Sequence, residues 1–104
     1  MNENGRGNNA VGYRTLFSNV DGNYNTAIGG SAPLYLNSSG DYNIGLGYYA
    51  AYNNTTGENN IAIGQNSLYE NTTAHSNLAI GVNALFENTN INESYGCFRG
   101  FSIV

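Results

Sequence analysis

The sequence predicts an all-β fold, a parallel β-solenoid of about five 17-residue coils, and three observations predict it. The first is a recurring word, Asn60-Ile61-Ala62-Ile63-Gly64, with near copies at Asn25-Thr26-Ala27-Ile28-Gly29 and Asn77-Leu78-Ala79-Ile80-Gly81. Looser copies stand at Asn8-Asn9-Ala10-Val11-Gly12 and Asn43-Ile44-Gly45-Leu46-Gly47. The second is the spacing: the closing glycines at 12, 29, 47, 64 and 81 are 17, 18, 17 and 17 residues apart. A fixed period over nearly the whole chain is the signature of stacked coils. The third is the failure of a helical reading. A Gly or Asn interrupts the chain every few residues, and no i, i+3, i+4 stripe is sustained.

Taken in order, residues 2–7 continue a preceding coil, because Gly5 lies 17 residues before Gly22. Coils 8–24, 25–42, 43–59, 60–76 and 77–93 follow, so residues 1–93 form one repeat domain. Residues 94–104 open in register with the key word at Ser94-Tyr95-Gly96-Cys97-Phe98 and then lose the pattern, a degenerate final coil or C-terminal tail. Each coil is expected to hold two extended pieces, the Asn-x-Ala-Ile word and a pair such as Leu68-Tyr69. Glycines are expected to supply positive φ at both corners, Gly64 and its equivalents at one, Gly22, Gly40 and Gly57 at the other. The 18-residue coil carries its extra residue within Ser31-Ala32-Pro33-Leu34. Pro33, lacking a ladder N–H, is expected at a bulge there, with the ladder resumed at Leu34.

Stacking places equivalent residues above one another at about 4.8 Å. Asn8, Asn25, Asn43, Asn60 and Asn77 then form one column, and Asn19, Asn37, Asn54, Asn71 and Asn88 another, in which side-chain amides can bond along the stack. Phe17, Tyr35, Tyr52, Tyr69 and Phe86 form an aromatic ladder. In the strand word, Ala62 and Gly64 share one face and Ile61 and Ile63 the other. Both faces are apolar in coils three to five, and a thin coil cannot cover both. Ile28, Ile44, Leu46, Ile61, Ile63, Leu78 and Ile80 are therefore the core or interface candidates, with one face expected to meet another chain.

Composition excludes several classes of function. The chain has 104 residues, 10% charged, a net charge of −4 and only three Lys plus Arg. Nucleic acid requires clustered basic residues, which are missing, so neither it nor an anionic membrane surface is an expected partner. No apolar run approaches the roughly 20 residues of a membrane span, so membrane insertion is not expected. The N-terminus has no signal-peptide core, so the chain is expected to be either a fragment or a protein released without that route, as from a lysed cell. Cys97 is alone, which precludes an internal disulfide and points to a buried structural thiol.

The unit Asn-Thr-Ala-Ile-Gly-x-x-Ala-Leu-Tyr-x-Asn-Thr-Thr-Gly resembles the head repeats of YadA-like trimeric adhesins, and related repeats of phage tail fibres and other surface fibres. The likeness spans roughly residues 8–93. It implies a left-handed parallel β-roll, three chains side by side as a homotrimer, and adhesion to a host surface glycan or protein from the cell surface, the extracellular space or a virion fibre. The best-known heads use coils shorter than 17 residues, and no stalk, neck or anchor is recognisable here.

No catalytic set stands out, and no enzyme activity, cofactor or metal site is expected. His75 reads as a solvated turn residue. Glu3, Asp21, Asp41, Glu58, Glu70, Glu87 and Glu93 are spread along the chain, and nothing selects a pair for acid–base chemistry or a calcium loop. The sequons at Asn37, Asn54 and Asn71 fall out of the repeat itself. Specificity must sit in slots that vary between coils, and the surface-binding candidates are Tyr48, Tyr49, Glu58, Gln65, Asn66, Glu70 and Asn83. Tyr13, Tyr24, Tyr42 and Tyr95 also lie outside the ladder, either as contact surface or as coil-to-coil stacking. An adhesive, receptor-binding fibre segment is the leading reading. The alternatives are a structural spacer or filament subunit without a ligand, for which neither end shows a cap, and ice binding through the Ser38, Thr55, Thr72 and Thr89 column.

Overall fold

A computed structural model describes residues 4–98 and 101–103, with the backbone alone from Cys97 onward. The chain is a parallel β-solenoid without helices among these residues. Its strands are β1 (Asn9–Val11), β2 (Thr26–Ile28), β3 (Ile44–Leu46), β4 (Ile61–Ile63), β5 (Leu78–Ile80), β6 (Tyr95–Phe98) and β7 (Phe101–Ile103). They form one sheet in chain order. β1 to β6 are parallel, and the register equates Ala27, Gly45, Ala62 and Ala79 on successive coils. Residues 4–7 lie under coil one as the tail of a preceding turn: Asn4 N–H donates to Val20 C=O (2.8 Å) and Tyr24 N–H to Arg6 C=O (2.8 Å). β7 pairs antiparallel with β6, so the last described strand departs from the parallel coil repeat.

The inner face of the sheet is small for a steric reason. Ala27, Ala62 and Ala79 are fully buried against Leu34, Leu68 and their column. A Cβ on Gly45 would lie 3.2 Å from Leu34 Cγ and 3.3 Å from the Ala50 carbonyl oxygen. A longer side chain at this position has no room, which leaves isoleucine and leucine to the outer face.

The second extended piece is not a strand. Leu16, Leu34, Ala51, Leu68 and Leu85 have φ between 49° and 51°, the left-handed region. This conformation costs about 1–2 kcal/mol for a residue with a Cβ, and two features of each coil offset it. The leucine side chain fills the core, and its carbonyl closes a turn with the third residue on, as in Asn71 N–H to Leu68 C=O (3.3 Å). Backbone bonds between coils persist through this turn, for example Leu68 N–H to Ala84 C=O at 3.0 Å. The periodic Leu-aromatic pair looked extended because its pairing is coil to coil, although its dihedrals are not.

The corners also differ from expectation. Gly64 and its equivalents Gly12, Gly47 and Gly81 have φ of 117–123°, which only glycine adopts readily, and a Cβ on Gly64 would lie 2.6 Å from Gly81 O, whereas Gly29, beside the inserted residue, is not in the positive-φ region expected of it. Gly22, Gly40 and Gly57 are not in the left-handed region. They are small because a Cβ on Gly22 would press on the Asn19 side-chain oxygen and the Gly40 carbonyl. The remaining left-handed turns fall on other residues, such as Tyr24, Tyr42, Asn59, Ser76 and Glu93 just before each new coil.

The inserted residue is Gly30, not one within 31–34. Ala32 N–H already donates to Tyr13 C=O (2.8 Å) and Tyr49 N–H to Ser31 C=O (3.0 Å), so the ladder resumes at Ser31. Pro33 sits in the regular, buried column of Ala50, Ser67 and Ala84. In that column the N–H bonds back within its own coil, as in Ser67 N–H to Gly64 C=O (3.2 Å), and not to a neighbouring coil. Proline therefore forfeits one local turn bond and no ladder bond.

The two asparagine columns work differently. Asn19, Asn37, Asn54 and Asn71 form the amide ladder, with Nδ2 of Asn37, Asn54 and Asn71 each donating to the preceding Oδ1 at 2.9–3.1 Å, while Asn88 Nδ2, expected to extend it, donates to Ile91 C=O at 3.0 Å. Asn25, Asn43, Asn60 and Asn77 bridge coils through the backbone instead. Asn43 Oδ1 accepts from Asn60 N–H (3.0 Å), while Asn43 Nδ2 donates to Gly57 C=O (2.7 Å). No buried side-chain nitrogen or oxygen among the described residues lacks a partner, the condition under which a core this polar is tolerated.

Candidate functional site

Two outer surfaces carry the candidate residues. The first is the outer face of the sheet. Alternation along each strand turns Ile44, Ile61 and Leu78 outward in one column and Ile28, Leu46, Ile63 and Ile80 in the next, with Val11 below. All seven interface candidates are brought together here. Ile28 is 43% exposed, Ile80 47% and Val11 61%; the others are half-buried by their neighbours. The single chain thus buries the small-residue face of β2 to β5 and leaves an apolar stripe that is two side chains wide on β3, β4 and β5 and one wide below them, where Thr26 and Asn9 stand in the first column.

The second surface is the corner after each strand. Tyr48 and Tyr49, Gln65 and Asn66, and Asn83 occupy equivalent slots on successive coils, joined by Asn66 N–H to Tyr48 C=O (2.9 Å) and Asn83 N–H to Gln65 C=O (2.8 Å). Two surface candidates fall elsewhere. Glu70 lies one residue past the aromatic ladder, its N–H on Phe86 C=O (3.1 Å). Glu58 is at the other corner, where its carbonyl accepts Ser76 N–H (3.0 Å). Tyr13 and Arg14 belong to the same corner as Tyr48 and Tyr49, and Arg14 was not among the sequence candidates. Aligning the coils on the sixth and seventh residues would have found it.

The aromatic ladder is continuous. Phe17, Tyr35, Tyr52, Tyr69 and Phe86 stack with centroids 5.0–5.6 Å apart and planes within 11°. Tyr24 and Tyr42 stack likewise at 5.2 Å. Stacked rings cover one another's faces, so these tyrosines serve coil-to-coil packing more than ligand contact. Tyr48 and Tyr49 differ: their rings are 4.1 Å apart and tilted by 46°, and Tyr49 meets Tyr52 edge-on at 5.0 Å.

The hydrogen bond to Tyr49 raises the Tyr48 hydroxyl above the usual tyrosine range, and burial does the same for Tyr52. A raised folded-state pKa favours the protonated fold. The associated stability is present below the unfolded value of about 10 and is lost as pH rises through the folded one. Alkaline titration followed by phenolate absorbance is expected to show a late-ionising tyrosine fraction that disappears on denaturation. Identical native and denatured curves would contradict this.

Other polar residues have structural partners. Asp41 Oδ1 accepts from Asn23 N–H at 2.6 Å and from Asn23 Nδ2 at 3.2 Å. The His75 N–H donates to Asn92 Oδ1 (2.9 Å). Asn37, Asn54 and Asn71 are fully buried in the amide ladder, so these sequons offer no reachable nitrogen. Ser38 Oγ and Thr55 Oγ1 bond to the carbonyls of the next coil (3.3 and 3.2 Å), which removes them from a free hydroxyl array. Among the described residues, no grouping of three or more His, Cys, Asp or Glu could hold a metal ion, and no helix is long and apolar enough to cross a membrane. The Cys97 side chain and Glu3 lie outside the described residues. Comparison with protein-family models, with curated proteins and with solved structures finds no match.

Proposed function

We propose that the chain is a non-enzymatic segment of an attachment fibre, assembled side by side as a parallel homotrimer. The apolar stripe on the outer face of the sheet is the observation that carries this reading. Burying such side chains stabilises an assembly by about 1.5–3 kcal/mol each, and an exposed stripe of this continuity marks an interface. Its side chains recur at one coil step, about 4.8 Å. The partner that offers apolar groups at the same step along the same length is another copy of the same solenoid. The likeness of the repeat unit to trimeric adhesin heads supplies the number three and the role in attachment.

In such a fibre the sheet faces turn inward and the variable corners outward. Three chains present each corner slot three times, and weak contacts to a host surface glycan or protein then add through avidity. Light scattering coupled to size exclusion tests the assembly. A mass near three times the 11.1 kDa of one chain is expected. A monomer at micromolar concentration would refute the trimer.

A further inference from the structure

The corner surface contains a gap that the repeat does not fill, and its use rests on the reading of the chain as a fibre presenting its side. The bonds from Ala32 N–H to Tyr13 C=O and from Tyr49 N–H to Ser31 C=O put Tyr13, Ser31 and Tyr48 in one column on consecutive coils. Tyr13 is 62% exposed and Tyr48 46%. The ladder beside them shows what a complete column looks like: Tyr35 sits between Phe17 and Tyr52, 5.1 Å from each, with planes within 5°. At the corner Ser31 stands between the two tyrosines, and the column continues above Tyr48 as Gln65 and Val82. Two aromatic side chains therefore stand two coil steps apart, roughly 10 Å along the stack.

The surroundings of the gap favour a polar ring. Gly30, the inserted residue next to Ser31 in the chain, is exposed and has nothing within 4 Å of where a Cβ would stand. Arg14 is exposed, its Cζ 4.9 Å from the centre of the Tyr13 ring and 5.8 Å from that of Phe17. A guanidinium in this place pairs with a carboxylate in fixed geometry. The Ser31 and Tyr48 hydroxyls add donors and acceptors on the same column. A sugar ring offers C–H faces to aromatic side chains and hydroxyls to such a rim. An aromatic side chain of a protein would fill the gap and leave the rim groups unmatched.

We propose that this notch binds one acidic pyranose, a hexuronic-acid-type ring inserted between Tyr13 and Tyr48 with its carboxylate on Arg14. The affinity of one notch is on the order of millimolar, as for a single shallow contact that a trimeric fibre multiplies.

Saturation-transfer NMR tests this with three probes: methyl glucuronide, methyl glucoside and N-acetyltyrosine amide. Transfer to the glucuronide ring is expected, with the neutral glucoside weaker by up to about fivefold, the upper value of one exposed charge pair. Arg14→Gln should erase the preference and keep the glucoside signal. Ser31→Tyr should complete the column and abolish glucuronide transfer, while circular dichroism and the melting temperature stay at or above those of the unaltered protein. Undiminished glucuronide transfer in Ser31→Tyr would overturn the proposal. So would tighter binding of the tyrosine amide, which marks the notch as a seat for protein, or the absence of transfer from any probe. The fibre reading is decided separately by the scattering mass: a trimer that ignores glucuronide loses only the notch, and a monomer that binds it loses only the fibre.

Discussion

Asn60→Leu is expected to lower the melting temperature on the order of 10–20 °C. Asn60 is 1% exposed. Its Oδ1 accepts from Asn77 N–H (3.0 Å), and its Nδ2 donates to Ala74 C=O (2.9 Å). Leucine fits neither role. The Asn77 N–H is left buried without an acceptor, which costs about 1–3 kcal/mol. The Ala74 carbonyl keeps only its bond from Asn71 Nδ2 (3.1 Å). Branching the side chain into a packed column adds about 1–3 kcal/mol. For a domain of this size each kcal/mol corresponds to roughly 4–8 °C. Thr56→Ala, on an exposed side chain of the neighbouring coil, should stay within about 0.5 kcal/mol. Thermal melts followed by circular dichroism compare the two, and equal melting temperatures would show that the buried amides do not hold the coils together.

Ile63→Asp is expected to abolish assembly and leave a folded monomer. Ile63 lies at the centre of the outer stripe, paired in register with Leu46 and Ile80. It is half-buried in the single chain and takes no part in the alanine–leucine core. An aspartate there is solvated in the monomer. In a trimer it would bring like charges into a desolvated seam, which costs several kcal/mol per ion. Glu58→Ala, at an exposed corner, should leave both mass and fold unchanged. Light scattering reads the assembly and circular dichroism the fold. A variant that unfolds would place Ile63 in the core; one that remains trimeric would place the interface elsewhere.

Much of the architecture was legible because stacking imposes identity. A parallel ladder sets equivalent residues at one spacing, so any residue type that only works in a column must recur at the period. Asn60, Gly64, Leu68, Tyr69 and Asn71 each did, and coil length, strand position and aromatic ladder followed. Dihedrals were less legible. Leu68 recurs as faithfully in a left-handed turn as it would in a strand, because recurrence reports the column and not the φ of its members. The left-handed residues before each coil, Tyr24, Tyr42, Asn59, Ser76 and Glu93, are of four different types, since a turn held by bonds to both neighbouring coils tolerates many side chains.

By itself, then, the sequence determined that the chain is a stack of coils with alanine and isoleucine on opposite faces of one strand. Only the tertiary structure decided which face is inside. Leu34 and Leu68, folded inward by their left-handed turns, leave space beneath the strand for nothing larger than alanine, and that contact sends the isoleucines outward. The same holds for the corner. The insertion was visible as an 18-residue coil, but its assignment to Gly30 required the Ala32–Tyr13 and Tyr49–Ser31 hydrogen bonds. Those bonds alone align Tyr13, Ser31 and Tyr48, because a ladder's register is set by which backbone groups pair and not by where a residue falls in the count.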